Sequence, residues 1–258
     1  MHICMSYRYS IYFRYLWDIK YLFKIVLMKK EKKVVKEMFD DIAPKYDFLN
    51  HFLSFGIDKW WRKIAVKILA DSRPKHVLDV ATGTGDFAIR IHKDLGAHVT
   101  GVDISVGMLE VGKEKIKALN LDEYITLEEG DSTNLTYEDD FFDALTVAFG
   151  VRNFENLPRG LKEMNRVINK GGKAVVLEFS NPKSFPFKQF YSFYSLYILP
   201  LIGRVFSKNK SAYTYLPESV KAFPDGDKFL DLMREAGFSQ CKKKVLSCGI
   251  VTIYSGIK

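Results

Sequence analysis

Val77-Leu-Asp79-Val-Ala-Thr-Gly83-Thr84-Gly85-Asp86 is the stretch that decides the fold of this 258-residue chain. A short apolar run ends in two closely spaced glycines, and an amphipathic pattern (Phe87, Ile89, Ile91) begins directly after it. That is a strand passing through a tight turn into a helix. Glycines there let the backbone approach a ligand closely, and sheets of this kind bind ligands beyond the carboxyl ends of their strands. The texture repeats downstream. Apolar runs at 99–103, 124–128, 141–149 and 173–179 alternate with helical patterns from Ser105 and over 157–168. Continuous apolar strands alternating with helices predict a mostly parallel sheet covered on both faces. A helix over 228–236 and strands over 240–246 and 250–257 give that sheet an antiparallel finish. Upstream, a helix over 34–50 should bend at Pro44, and Asp58 is placed to cap a second helix through Trp60, Trp61, Ile64 and Ile68. The chain shows no repeats, and one α/β domain results.

Composition narrows the function classes. Hydrophobic residues make up 47% and charged residues 27%, enough material for a core and too little charge for a disordered chain. Cys4, Cys241 and Cys248 lack metal-ligand spacing and cannot all pair, which suits a reducing cytosol; no metal requirement is read from the chain. The net charge of +8 invites a nucleic-acid reading. Its location argues against one: residues 1–36 hold nine Lys/Arg against Asp18 and Glu31, while the other 222 residues carry 30 basic and 29 acidic side chains. A nucleic-acid enzyme would spread a basic face over its folded body.

Three acids stand at the strand ends. Asp79 lies within the first strand, where its carboxylate can serve a ligand's ammonium. Asp103 ends the second, placed to accept from both ribose hydroxyls. Asp131 ends the third in Gly130-Asp131-Ser132, suited to an adenine amino group. Ammonium, ribose and adenine are the handles of S-adenosylmethionine, and the layout resembles the class I methyltransferase pattern, a Rossmann-like fold with a seven-stranded sheet. The glycine turn alone also fits a truncated dinucleotide fingerprint and an NAD-dependent oxidoreductase. Asp79 and Asp131 as simple turn formers are the structural alternative.

Two longer stretches are more specific. Tyr46-Asp47-Phe-Leu-Asn50-His-Phe-Leu-Ser54-Phe-Gly-Ile-Asp58-Lys-Trp-Trp61 and Arg166-Val-Ile-Asn-Lys-Gly171-Gly172-Lys-Ala-Val-Val-Leu-Glu178-Phe-Ser180 resemble the two signatures of the ubiquinone/menaquinone C-methyltransferases. Phe149-Gly150-Val-Arg152-Asn153 is similar to that family's stretch after its fourth strand. The resemblance runs from about residue 32 to the C-terminus. Asp58, Leu49, Asn169-Lys170 and Ala148 depart from the family pattern, and Ala148 has no side-chain hydrogen bond to give.

The resemblance implies methyl transfer from S-adenosylmethionine to a ring carbon of a prenylated quinol. Demethylmenaquinol is the acceptor favoured here; the ubiquinone-precursor quinol, a dual-acceptor enzyme and a non-catalytic scaffold in a quinone-synthesis complex are the alternatives. Carried over by position, Thr84, Asp103, Asp131 and Ser132 are cofactor contacts, with Gly83 and Gly85 shaping the loop and Asp79 beside them. For the acceptor, Arg152 is the leading candidate to hold a quinol oxyanion, followed by Tyr46 and Asn153. Arginine itself is too weak an acid to serve as a free base. Pairing of Arg152 with Glu155 or a helix end is the structural alternative, and a packing corner is that for Tyr46. His51 is an alternative base, with a supporting role preferred.

The remaining expectations concern surroundings. Phe185, Phe187, Phe190, Tyr191, Phe193, Tyr194, Tyr197, Leu199, Leu201 and Phe206 crowd a substrate-side insertion over 184–222, read either as a helix filling core or as a lid gripping an isoprenoid tail. Residues 1–27 precede a natural-looking start at Met28. They are an interfacial segment, a docking tail or an extension outside the native protein; charges interrupt every apolar run, so they do not form a membrane span. The expected location is cytoplasmic, with peripheral contact at the inner face of the membrane and self-association both open.

Overall fold

The computed structural model describes residues 31–195 and 210–258. The expectations for residues 1–27, and for Tyr197, Leu199, Leu201 and Phe206, lie outside the described residues.

The roof of the molecule comes first in the chain: α1 (Lys32–Ile42), a 3-10 turn (Ala43–Lys45) and α2 (Tyr46–Leu53), then α3 (Ile57–Ala70). Pro44 sits in the 3-10 turn, where its missing N–H removes no helical bond, so the helix predicted over 34–50 becomes two. The alternating body follows as β1 (His76–Val80), α4 (Asp86–Leu95), β2 (His98–Asp103), α5 (Val106–Ala118), β3 (Ile125–Glu129), β4 (Phe142–Ala148), α6 (Leu157–Val167) and β5 (Ile168–Phe179). The end of the chain supplies α7 (Phe187–Phe193), α8 (Lys210–Ala222), α9 (Asp227–Glu235), β6 (Ser239–Leu246) and β7 (Val251–Ile257).

The strands form one seven-stranded sheet in the order β3-β2-β1-β4-β5-β7-β6. β1 to β5 run parallel, and β7 is antiparallel to both its neighbours, β5 and β6. Side chains alternate across this sheet. Leu78, Val80, Leu145, Val147, Ala174 and Val176 enter one core with α6 and α9; Val77, Ala144, Val175 and Leu177 enter the other with α3, α4 and α5. Strand order reverses between β1 and β4, so the chain leaves those two strands in opposite lateral directions and opens a crevice above their carboxyl ends.

Three details depart from the sequence reading. β5 begins at Ile168, eleven residues ahead of its end and before the glycine pair, because Ile168 pairs with Phe142 and the register shifts across Asn169–Gly172. Asp58 does not cap α3. Gly56 holds that position with φ 74°, and Asp58 is turned inward, accepting from Ser54 Oγ (2.7 Å) and Arg62 Nη1 (2.5 Å). Finally, α7 contributes no fully buried side chain, so its aromatics do not fill core as one reading had it.

Candidate active site

The crevice between the β1 and β4 ends opens into a cavity lined by residues that follow β1, β2, β3 and β4, with α1 and Tyr46 over it. Its floor is made by two turns that approach each other. Ala81 after β1 (φ 54°) and Phe149 after β4 (φ 59°) are non-glycine residues in the left-handed region, and a Cβ on Gly150 would lie 2.5 Å from that of Ala81. Strain of this kind persists where the surroundings over-determine the backbone, commonly at ligand sites. Gly83 lines the cavity with φ 57°, and its N–H donates to Asp103 Oδ2 (2.8 Å). Ser105 N–H donates to Asp103 Oδ1 (2.9 Å), so the acid is fixed at the end of β2. Burial pushes the Asp103 pKa up, against these backbone donors.

Asp131 and Ser132 line the next part of the wall, after β3. Asp131 Oδ1 accepts from Thr133 N–H and Oγ–H, both at 2.8 Å, and Oδ2 accepts from Lys32 Nζ at 2.9 Å. Desolvation opposes its charge, but Lys32 and Thr133 hold its pKa below the usual carboxylate range. Lys32 belongs to α1, which crosses the cavity mouth. Lys36 of the same helix bonds Glu129 (2.7 Å), and Asp40 accepts from Ser105 Oγ (2.6 Å) and Gly107 N–H (2.9 Å) at the start of α5. Val35, Phe39 and Tyr46 complete the roof. None of these roof contacts other than Tyr46 was anticipated: lysines on an amphipathic helix look solvated until a partner 99 residues away is known.

Two predicted cofactor contacts are turned elsewhere. Thr84 is buried and donates to Asp47 Oδ1 (2.5 Å), within a cluster in which Lys115 bonds both Asp47 and Asp86 at 2.6 Å. Gly85 (φ 78°) packs toward Leu127 and Ile116, outside the cavity lining. Both lie on the helix side of the turn, and Thr84 ties the roof to the body through Asp47. Asp79 is the third correction. It lies on the strand face shared with Val77, under α3 and α4, and its carboxylate accepts from Thr82 Oγ (2.7 Å) and Thr146 Oγ (2.7 Å) with 1% exposure. It braces the glycine turn from below and does not line the cavity.

Burial lifts the Asp79 pKa to about 6, the two threonine bonds notwithstanding. A carboxyl whose folded pKa exceeds its unfolded value stabilises the fold fully below the unfolded pKa and loses that contribution as pH rises through the folded one. Asp79→Asn should therefore gain stability relative to the unsubstituted protein between about pH 4 and pH 7. Thermal melts across that range check it; a constant difference would show that Asp79 does not titrate there.

On the β4 side, Asn153 and Phe154 line the cavity, and Tyr215 Oη donates to Asn153 Oδ1 at 3.0 Å. Arg152 is buried and does not line the cavity. Its partner is Glu178 on β5 (Nη1 to Oε1, 2.8 Å), not Glu155, and it also donates to Phe149 O. Glu178 is fully buried and accepts the Arg152 N–H as well (3.2 Å). Burial works against the guanidinium charge, yet Glu178, Tyr46 and Tyr215 hold its pKa above the ordinary value. Arg152 Nε–H is buried with no partner among the described residues. His51 does not line the cavity: Nδ1 meets Asp58 (2.9 Å), Nε2 faces Asp86 (3.5 Å), and the ring ties α2 to α3 and α4. Asp58 and Asp86 are in turn bonded by Arg62 and Lys115.

The lining fits a cationic adenosyl ligand. Among the described residues it offers Asp103, Asp131 and Glu155 against one base, Lys32, already paired with Asp131; a pyrophosphate would find little among them to neutralise it. The family model described as the ubiE/COQ5 methyltransferase family matches residues 26–258. The chain belongs to that family. Among relatives, the demethylmenaquinone methyltransferase of Bacteroides fragilis is 48% identical over 230 residues, 89% of this chain and 94% of the relative. The ubiquinone/menaquinone biosynthesis C-methyltransferase UbiE of Geotalea daltonii is 46% identical over 234 residues, 90% of this chain and 99% of the relative. The fold is shared more widely: a SAM-dependent methyltransferase of Thermotoga maritima superposes with a TM-score of 0.59 at 21% identity, over 86% of this chain and 99% of that one. As a ubiE/COQ5 family member the chain is an S-adenosylmethionine-dependent C-methyltransferase of quinone biosynthesis, with the class I sheet on which that chemistry is built.

Proposed function

We propose that the protein methylates a ring carbon of demethylmenaquinol, with Asp103, Asp131, Ser132 and Gly83 holding the cofactor and Arg152, Asn153 and Tyr46 serving the acceptor. The observation that carries this reading is a cavity with acids on its β2–β3 side and Gly150, Asn153 and Phe154 on its β4 side, with Arg152 buried next to Asn153 and outside the lining. The cofactor, when bound, supplies a methyl group activated by sulfonium charge. Asp103 has lone pairs left for the ribose hydroxyls beyond those taken by Gly83 and Ser105. Ser132 and the engaged Asp131 face the adenine end, with Lys32 closing over them.

An aromatic carbon becomes a strong nucleophile when its ring hydroxyl is ionised, and a nearby cation favours that ionisation. Arg152, next to Asn153 of the lining, supplies a permanent positive charge, held in place by its ion pair with Glu178. Burial raises the Tyr46 pKa, so its phenol stays protonated at neutral pH and donates rather than abstracts. Asn153 keeps its amide N–H groups free to donate, because Tyr215 uses only its oxygen. The roof of α1 and α2 excludes water, which strengthens each of these interactions. In this reading the substrate-side insertion over 184–222 brings Tyr191 and Tyr215 to the same end, both feeling the Arg152 charge. A prenylated acceptor also calls for peripheral contact with the membrane that stores it.

The test is methyl transfer by the purified full chain to reduced, short-tailed demethylmenaquinone, followed by mass spectrometry. A gain of one CH2 on the naphthoquinol ring is expected. Methylation confined to the ubiquinone precursor would overturn the acceptor assignment, and no methylation of either quinol would overturn the function.

A further inference from the structure

Large apolar side chains are exposed at two places that are far apart in sequence. Phe55 (84% exposed), Ile57 and Trp60 stand at the corner between α2 and α3; Phe185 (80%), Phe187 and Phe190 (68%) stand at the start of α7. Tyr194 joins the two, its hydroxyl donating to Leu53 O at the end of α2 (3.0 Å). Solitary exposed aromatics are ordinary, but clustered ones mark an interaction surface. The cluster meets the cavity wall through α3: Trp61, next to Trp60, packs edge-on against Phe149 of the lining, with ring centroids 6.1 Å apart.

The exposed charged side chains on the first two turns of α3 and on α7 have one sign. Lys59 and Lys63 are exposed on α3, Lys63 one turn from Trp60, and Lys188 is exposed on α7. Asp58, the acid of that α3 turn, is buried against Arg62, and residues 183–195 contain no acid at all. Aromatic side chains ringed by lysine fit the interface of an anionic bilayer, where rings enter the headgroup boundary and lysines meet the surface charge. A second copy of the same face would set lysine against lysine. No described helix is long and apolar enough to cross a membrane, so contact here is with the surface.

We infer that the α2–α3 corner and α7 together form a membrane-docking face for anionic lipid, set beside the β4 side of the cavity. The inference rests on the proposed quinol chemistry: the docked face would let a lipid-soluble acceptor reach the cavity without crossing water.

Vesicle flotation of the full chain tests it, using phosphatidylcholine alone and phosphatidylcholine with phosphatidylglycerol. The protein should float with the anionic vesicles and much less with neutral ones. A variant combining Phe55→Ser, Trp60→Ser, Phe185→Ser and Phe190→Ser should bind them at least about tenfold more weakly. Lys59→Glu, Lys63→Glu and Lys188→Glu together should lose a comparable amount and lose the salt sensitivity. Both variants should still methylate a short-tailed quinol in solution, while methylation of a long-tailed quinol embedded in vesicles falls. Unchanged flotation of the variants would overturn the assignment, as would failure of the unsubstituted protein to float or its self-association through this face. Loss of methylation in the unsubstituted protein with flotation intact would instead strike the proposed chemistry.

Discussion

Asp103→Ala should weaken binding of S-adenosylhomocysteine by at least about a hundredfold. Hydrogen bonds to a charged group contribute about 1.5–3 kcal/mol each, and two are expected from the ribose. Their combined loss of about 3–6 kcal/mol exceeds two decades at about 1.4 kcal/mol per decade. The change also strips the Gly83 N–H of its acceptor, so the turn loses the bond that holds it beside the ligand. Asp103→Asn separates these effects, because its amide oxygen keeps one backbone contact while the negative charge is gone. It should fall between alanine and the unsubstituted protein. Titration calorimetry on folded protein measures both. Unchanged affinity in the alanine variant would place the cofactor elsewhere and remove the basis for the whole site.

That prediction was legible in the sequence because the feature behind it is local. Asp103 closes an apolar strand, Gly83 follows another, and parallel pairing of β1 with β2 brings those two ends together whatever the rest of the molecule does. The alternation of apolar runs with helical patterns was enough for the sheet, and the two C-terminal strands took their expected places. What could not be read was the direction of side chains near the turn. Asp79 is one strand residue too deep to reach the cavity, and the two-residue period places it under α3 instead. Thr84 sits only one residue past Gly83, yet the start of α4 turns it toward Asp47. Long-range partners were equally hidden. Nothing near Lys32 in the chain announces Asp131, and Arg152 has an acid three residues away that it ignores in favour of one across the sheet.

That last pairing gives the second large effect. Glu178→Ala should destabilise the protein by about 3–5 kcal/mol, because it leaves the Arg152 guanidinium buried without its counter-ion. For a domain of this size that is a fall of about 6–20 °C in melting temperature. Arg152→Ala should destabilise it by a similar amount, stranding Glu178 instead. Stability loss alone would make Arg152 an anchor and nothing more, so the informative variant replaces both. Arg152→Met with Glu178→Leu removes both charges and keeps apolar volume, which often recovers the stability of a buried ion pair or improves on it. The double variant should therefore melt above either single variant, short of the unsubstituted protein because the N–H groups of residues 152 and 179 lose their acceptor, and bind S-adenosylhomocysteine normally, yet show no turnover of the quinol. Turnover retained in a stable double variant would assign the pair to architecture, and the oxyanion would then have to be held by Tyr46 and Asn153. Turnover lost with cofactor affinity intact puts the positive charge of Arg152 in the chemical step, and makes Glu178 the residue that keeps this cation in place.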